Sequence, residues 1–204
     1  MQGKRDREIV RRGIRLLIAK VILGALAAGA AILLMRAVGN REILVALFIG
    51  LVPGIAEGCL KKLLFGAILG LIGYSVGARV SAAVAKSFIE EVPFGHWAIV
   101  GAFIGMTAGV SRSPGQWFSF RFVVWTLGSV YGFVFGFLFG FLGDIGGFFT
   151  LPAHGLGLHY YMREVSLLCA GVFINLGAAV AAILSASLDN GLARVARVVE
   201  KAEG

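Results

Sequence analysis

Phe122 to Leu142 reads FVVWTLGSVYGFVFGFLFGFL and carries no charge. Gly128, Gly132, Gly136 and Gly140 recur every fourth residue, with Phe133, Phe135, Phe137 and Phe139 between them. In water each such glycine costs a helix about 1 kcal/mol relative to alanine. In a bilayer the backbone has no water to bond, so helix is the state that satisfies it. Glycines four apart share one helix face, where a neighbouring backbone can approach closely. The stretch therefore predicts the central helix of an all-α integral membrane bundle.

The composition agrees. Of 204 residues, 58% are hydrophobic and 15% charged, with mean hydropathy +0.89. An ordinary soluble domain is nearer one half apolar and one quarter charged. The net charge is +8, which would fit nucleic acid if the basic residues were gathered on one segment. They sit instead at the ends of apolar runs, so the expected partner is anionic lipid headgroups and no nucleic acid.

Six spans are predicted, at residues 16–38, 43–60, 63–85, 96–111, 122–142 and 165–188. A basic amphipathic segment, 1–15, precedes them, and an amphipathic basic tail, 189–204, follows; Asp189-Asn190-Gly191 is expected to break the last helix. With the N-terminus inside, 14 Lys and Arg residues fall on the inner face and 5 on the outer. That asymmetry predicts a plasma (inner) membrane protein with both termini cytoplasmic. Lys20, near the inner end of the first span, is expected to snorkel to the headgroups. Pro53 is expected to kink the second span. The first apolar run is too long for a cleaved signal core. Cys59 and Cys169 are expected at opposite faces and unpaired.

Glycine stripes also mark other spans: Gly50, Gly54 and Gly58 in the second, Gly66 and Gly70 in the third, and Gly101, Gly105 and Gly109 in the fourth. Together with the fifth they predict a glycine-zipper bundle. Ala46-Leu-Phe-Ile-Gly50 aligns with Gly101-Ala-Phe-Ile-Gly105 at an offset of 55, and Gly70–Tyr74 aligns with Gly128–Gly132 at an offset of 58. The expectation is two parallel helical-hairpin repeats, 43–85 and 96–142.

The offset of 55 also matches Glu57 with Arg112. Opposite charges at equivalent helix ends could pair across the hairpins, and an ionisable residue inside a membrane is a functional-site hypothesis by default. The plainer alternative pairs Glu57 with Lys61 one turn on and leaves Arg112 on lipid phosphate. His96, His154 and His159, with Asp144, fall on the predicted outer side and contain the residue types of a metal site, without a ligand-pair spacing such as HExxH. Their plainer role is to anchor the outer rim. FLGD at 141–144 lacks the glycine that aspartate-type intramembrane proteases carry where Phe141 stands, and no serine has a histidine partner on its own side.

Three functions follow as expectations. The first is a structural, anchoring or assembly role, with the glycine stripes packing against the chain itself, a homo-oligomer or other membrane subunits. The second is a small channel or transporter using Glu57 and Arg112, with Asn175 and Thr126 as further pore residues. The third is an outer-face metal-binding enzyme. No cofactor is expected.

Overall fold

The computed structural model describes residues 2–38, 42–87, 96–110, 118–149 and 159–202, with side chains described within 10–38, 42–83, 96–110, 126–142 and 164–187. The described residues form six α-helices and no strand: α1 (Gln2–Val38), α2 (Ile43–Glu57), α3 (Leu60–Ser87), α4 (His96–Gly105), α5 (Phe118–Phe149) and α6 (His159–Ala202), with a 3-10 turn, Met106–Gly109, continuing α4.

Among the described residues three segments are long and apolar enough to cross a membrane: Val10–Val38, Leu60–Ala83 and Glu164–Ser187. Ile43–Glu57, His96–Gly109 and the described part of α5, Thr126–Leu142, are shorter. At 1.5 Å per residue α2 covers about 22 Å, less than the ~30 Å of a hydrocarbon core. α2 ends where Gly58 adopts φ 60°, and its N–H reaches back to the carbonyls of Gly54 and Ile55. Glycine takes this left-handed cap without a Cβ clash.

Several predicted boundaries move. Residues 1–15 are not a separate element from Gln2 onward, because α1 runs unbroken to Val38. The Asp189-Asn190-Gly191 stretch does not stop α6, which continues to Ala202. Asn and Gly weaken a helix only by fractions of a kcal/mol to about 1 kcal/mol each, too little to end one flanked by good helix formers. Residues 143–164, between the fifth and sixth predicted spans, are helical at both ends, through Phe149 and from His159.

Neighbouring helices run antiparallel. A methyl group added to Gly50 would strike the carbonyl of Gly66, and one on Gly70 that of Ala46. Gly105 meets Gly132 in the same way, Gly101 meets Gly136, and Gly128 meets Gly109. Gly73 and Gly77 of α3 meet Val100 and His96 of α4. Gly24 of α1 meets Gly171 of α6, and Gly177 of α6 meets Phe135 and Phe139 of α5. The order is a ring from α1 to α6, with α6 also touching α2 and α4 across the middle. Six alternating helices bring the start of α1 and the end of α6 to the same end of the bundle.

The glycine contacts correct two sequence-based expectations. Gly58 packs against nothing, since a Cβ there would meet no atom within 4 Å; its part is the helix cap. The two hairpins close at Gly50 on Gly66 and at Gly105 on Gly132. In α3 and α5 the matching positions are thus 66 apart, so the short text match at 58 is out of register with the packing.

Side-chain size is distributed inside out. Most buried positions are small or medium, such as Ala28, Ala31, Val45, Ala46, Ile49, Val100, Ile104, Ala170 and Ile174, with Trp97 the large side chain among them. Large apolar side chains face outward, as Ile14, Ile18, Ile22 and Leu26 on α1, Ile68 and Ile72 on α3, and Phe133, Phe137 and Leu138 on α5. On a soluble monomer a stripe this long would be an association site. Around an interior of glycine and alanine it is the surface expected to meet lipid tails.

A candidate polar centre

Among the described residues the most buried charge is Lys20, 1% exposed. It leaves α1 on the face of Gly24, which lies tight against Gly171 and Asn175 of α6. Because Gly24 has no side chain, α6 comes close and covers the lysine stem. The ammonium turns inward. It stands 2.7 Å from Glu57 Oε1 and donates to the carbonyl of Ala178, 3.3 Å away. The expectation that Lys20 snorkels outward is therefore overturned, because a carboxylate and a helix carbonyl wait for it inside.

Glu57 is the last residue of α2, held there by the Gly58 cap. Its second oxygen, Oε2, accepts from Lys62 Nζ at 2.7 Å. Both side chains are almost wholly covered, 8% and 7% exposed. The pairing predicted with Lys61 does not form: Lys61 is exposed, because Lys62, one position on, lies on the face of α3 turned toward α2. The pairing predicted with Arg112 falls on a residue outside those described. One carboxylate thus ties three helices together and, through Lys20, a fourth.

The cluster lies well inside the apolar part of α6. Ala178 is nine residues from Ser187 and fourteen from Glu164, the ends of that segment, or about 14 and 21 Å along the axis. Asn175, one turn from Ala178, is fully buried. Its Nδ2 donates to the Gly171 carbonyl at 3.0 Å, and its Oδ1 has no hydrogen-bond partner.

A second set of polar groups surrounds the 3-10 turn. Thr107 is buried at 1% exposure, with its methyl against Gly66. Ser129 donates to the carbonyl of Met106, 3.4 Å away, where α-helix gives way to 3-10 geometry. Ser185 is buried beside Gly128. Of these groups sequence reasoning singled out only Glu57 and Asn175. The signal for Lys20 was present: a lone lysine one turn before a glycine, on the helix's small-residue face.

Among the described residues no group of three ligand-type side chains gathers, and of the predicted outer metal set only His96 has a described side chain. His96 is buried between two rings, edge-on to Tyr74 at 4.7 Å and to Trp97 at 5.3 Å. His154 lies outside the described residues, as do the side chains of His159 and Asp144. At the same end of the bundle Arg36 clasps Glu164 with both carboxylate oxygens at 2.7 Å. Thr126 is partly exposed on α5. Compared with known protein families, curated proteins and solved structures, the chain matches none.

Proposed function

We propose that this is a six-span inner-membrane protein, both termini cytoplasmic, that binds and moves a small charged solute at the Lys20–Glu57–Lys62 centre. The observation that carries the reading is the near-complete burial of three charges deep in an apolar bundle. A charged residue at the centre of a spanning helix costs about 2.5–3.5 kcal/mol even by the milder measurements. Replacing a buried ion pair by apolar residues is often neutral or stabilising. A bundle needing only cohesion would gain nothing from them.

The two short helices support the same reading. α2 and the α4 segment with its 3-10 turn stand at matching positions of the hairpin repeat that the sequence suggests, at the offset of 55. Paired short or glycine- and proline-interrupted segments are the usual sequence-level pointer to a transporter's binding site. Pro53 lies inside α2, and α4 gives way to 3-10 geometry at its end. The buried polar side chains of the inner half gather near those two ends.

A structural or anchoring role is the second reading. It is favoured by the middle of the bundle, which α6 fills against α2 and α4. It would use a different surface from the one the sequence suggested. Most of the predicted packing glycines meet other helices of this same chain, so a partner or second copy would have to dock on the outer faces of α1, α3 or α5. Proteoliposomes separate the readings. Under the transport reading Glu57→Gln abolishes solute flux while the purified variant stays monodisperse. Under the anchoring reading wild-type vesicles are as tight as empty ones.

A further inference from the structure

We infer that His96 is an acid-operated latch at the end of the bundle away from the termini. Neutral, its ring holds the start of α4 on α3. Protonated, it leaves Tyr74 and Trp97 for Glu42, and the two helices part there. The inference goes beyond the transport reading and stands without it, since it names no solute.

Packing shows how the neutral ring is held. His96 opens α4 and is 9% exposed. A methyl added to Gly77 of α3 would stand 2.9 Å from the His96 carbonyl oxygen and 3.5 Å from Nδ1. The missing side chain thus lets α4 begin directly on α3. The imidazole then lies edge-on to both Tyr74 and Trp97, and those two rings also meet edge-on. Such contacts suit a neutral aromatic ring.

Polar partners are missing. Nε2 is buried and has no hydrogen-bond partner. A neutral imidazole carries one N–H and can leave a single orphan acceptor there, a modest cost. The protonated ring carries an N–H on both nitrogens, so a charged donor then occupies the same spot with nothing to receive it, which costs far more. The position adds to that cost, because the first turn of a helix is the positive end of its dipole. Cation–π attraction to Tyr74 and Trp97 is weaker than the hydration that a buried cation gives up.

The groups around the ring decide where it goes. α3 presents Tyr74 and, one turn from Gly77, the uncharged Ser81, whose Oγ is also buried without a partner; Arg79 is exposed. Glu164 of α6 is clasped by Arg36 of α1. On α5 the described side chains end at Leu142, before Asp144. Glu42, at the N-cap of α2, is the acid whose charge reaches His96. An imidazolium drawn to Glu42 gives up the ring contacts that seat α4. One proton separates the two states, so the ratio of open to closed rises by up to about tenfold per pH unit as acid is added.

The test uses the purified full chain in detergent with Trp117→Phe and Trp125→Phe, which leaves Trp97 as the single indole. Its quenching by acrylamide is followed from about pH 8 to about pH 5, the range in which imidazole titrates. Trp97 should be shielded at the upper end and several-fold more strongly quenched at the lower. His96→Phe, an aromatic ring without charge, should stay shielded throughout, and Glu42→Gln should move the transition to lower pH. The inference is overturned if Trp97 is equally shielded at both ends, or if a change of the same size persists in His96→Phe. A Glu42→Gln midpoint equal to that of the parent overturns the move toward Glu42. Should His96→Phe not fold, His96→Gln carries the same expectation. Should neither fold, the His96 ring is followed by NMR in the parent protein, where a ring titration midpoint that differs from the quenching midpoint overturns the inference.

Discussion

Glu57 Oε1 stands 2.7 Å from Lys20 Nζ, joining the end of α2 to the middle of α1. The pair is covered on both sides, so removing the acid takes from Lys20 and Lys62 the carboxylate that bridges them. Glu57→Gln should cost about 3–5 kcal/mol, the range for breaking a buried pair. Lys20→Met should cost less, because Glu57 and Lys62 remain as a neutral pair. Lys61→Gln, at an exposed position, should stay within about 0.5 kcal/mol. Denaturant unfolding in mixed micelles measures all three.

The glycine contacts give a graded series. Gly105→Ala and Gly136→Ala would press a methyl into the backbone of the facing helix, at Gly132 and Gly101 respectively. Backbone yields little, so each should prevent a monodisperse, folded product. Gly29→Ala places its methyl 3.9 Å from Leu168, an ordinary contact, and should be tolerated. Gly58→Ala meets no atom but keeps a left-handed φ, which costs a non-glycine residue about 1–2 kcal/mol. Size-exclusion profiles and thermal melts order the four.

The Arg36–Glu164 clasp makes three short contacts, yet Arg36 is more than half exposed. Solvent screens such a pair, and exposed bridges contribute about 0–1 kcal/mol. Arg36→Ala should therefore change stability far less than Glu57→Gln, despite its better hydrogen-bond count.

Six alternating helices return the chain to the end where it began. Cysteines placed one at a time at Gln2 and Ala202, in a variant lacking Cys59 and Cys169, should both resist a membrane-impermeant maleimide in intact cells and react after lysis. Labelling of one and not the other in intact cells would refute the six-span arrangement, and labelling of both would refute the cytoplasmic orientation.

Much of this architecture was legible from glycine spacing. The stripe from Gly128 to Gly140 predicts a close backbone approach, and Trp97, Gly101, Gly105 and Gly109 supply the facing surface. Charge pairing was less legible. Periodicity gives the face of a residue on its own helix but says nothing of how helices lie beside one another, and the partner of Glu57 depends on that. Lys20 is 37 positions from Glu57 and reads as a snorkelling lysine until α6 is known to cover it. The α3–α5 match failed for a related reason: in a chain with 30 glycines, short identical words recur at several offsets, and packing alone selects among them.

Solute movement across a sealed vesicle is the most direct test. Proteoliposomes carrying wild-type protein should pass small charged solutes faster than empty vesicles, and Glu57→Gln, purified as a monodisperse protein, should return them to the empty-vesicle rate. Wild-type vesicles as tight as empty ones, or flux through Glu57→Gln equal to wild type, would contradict the account.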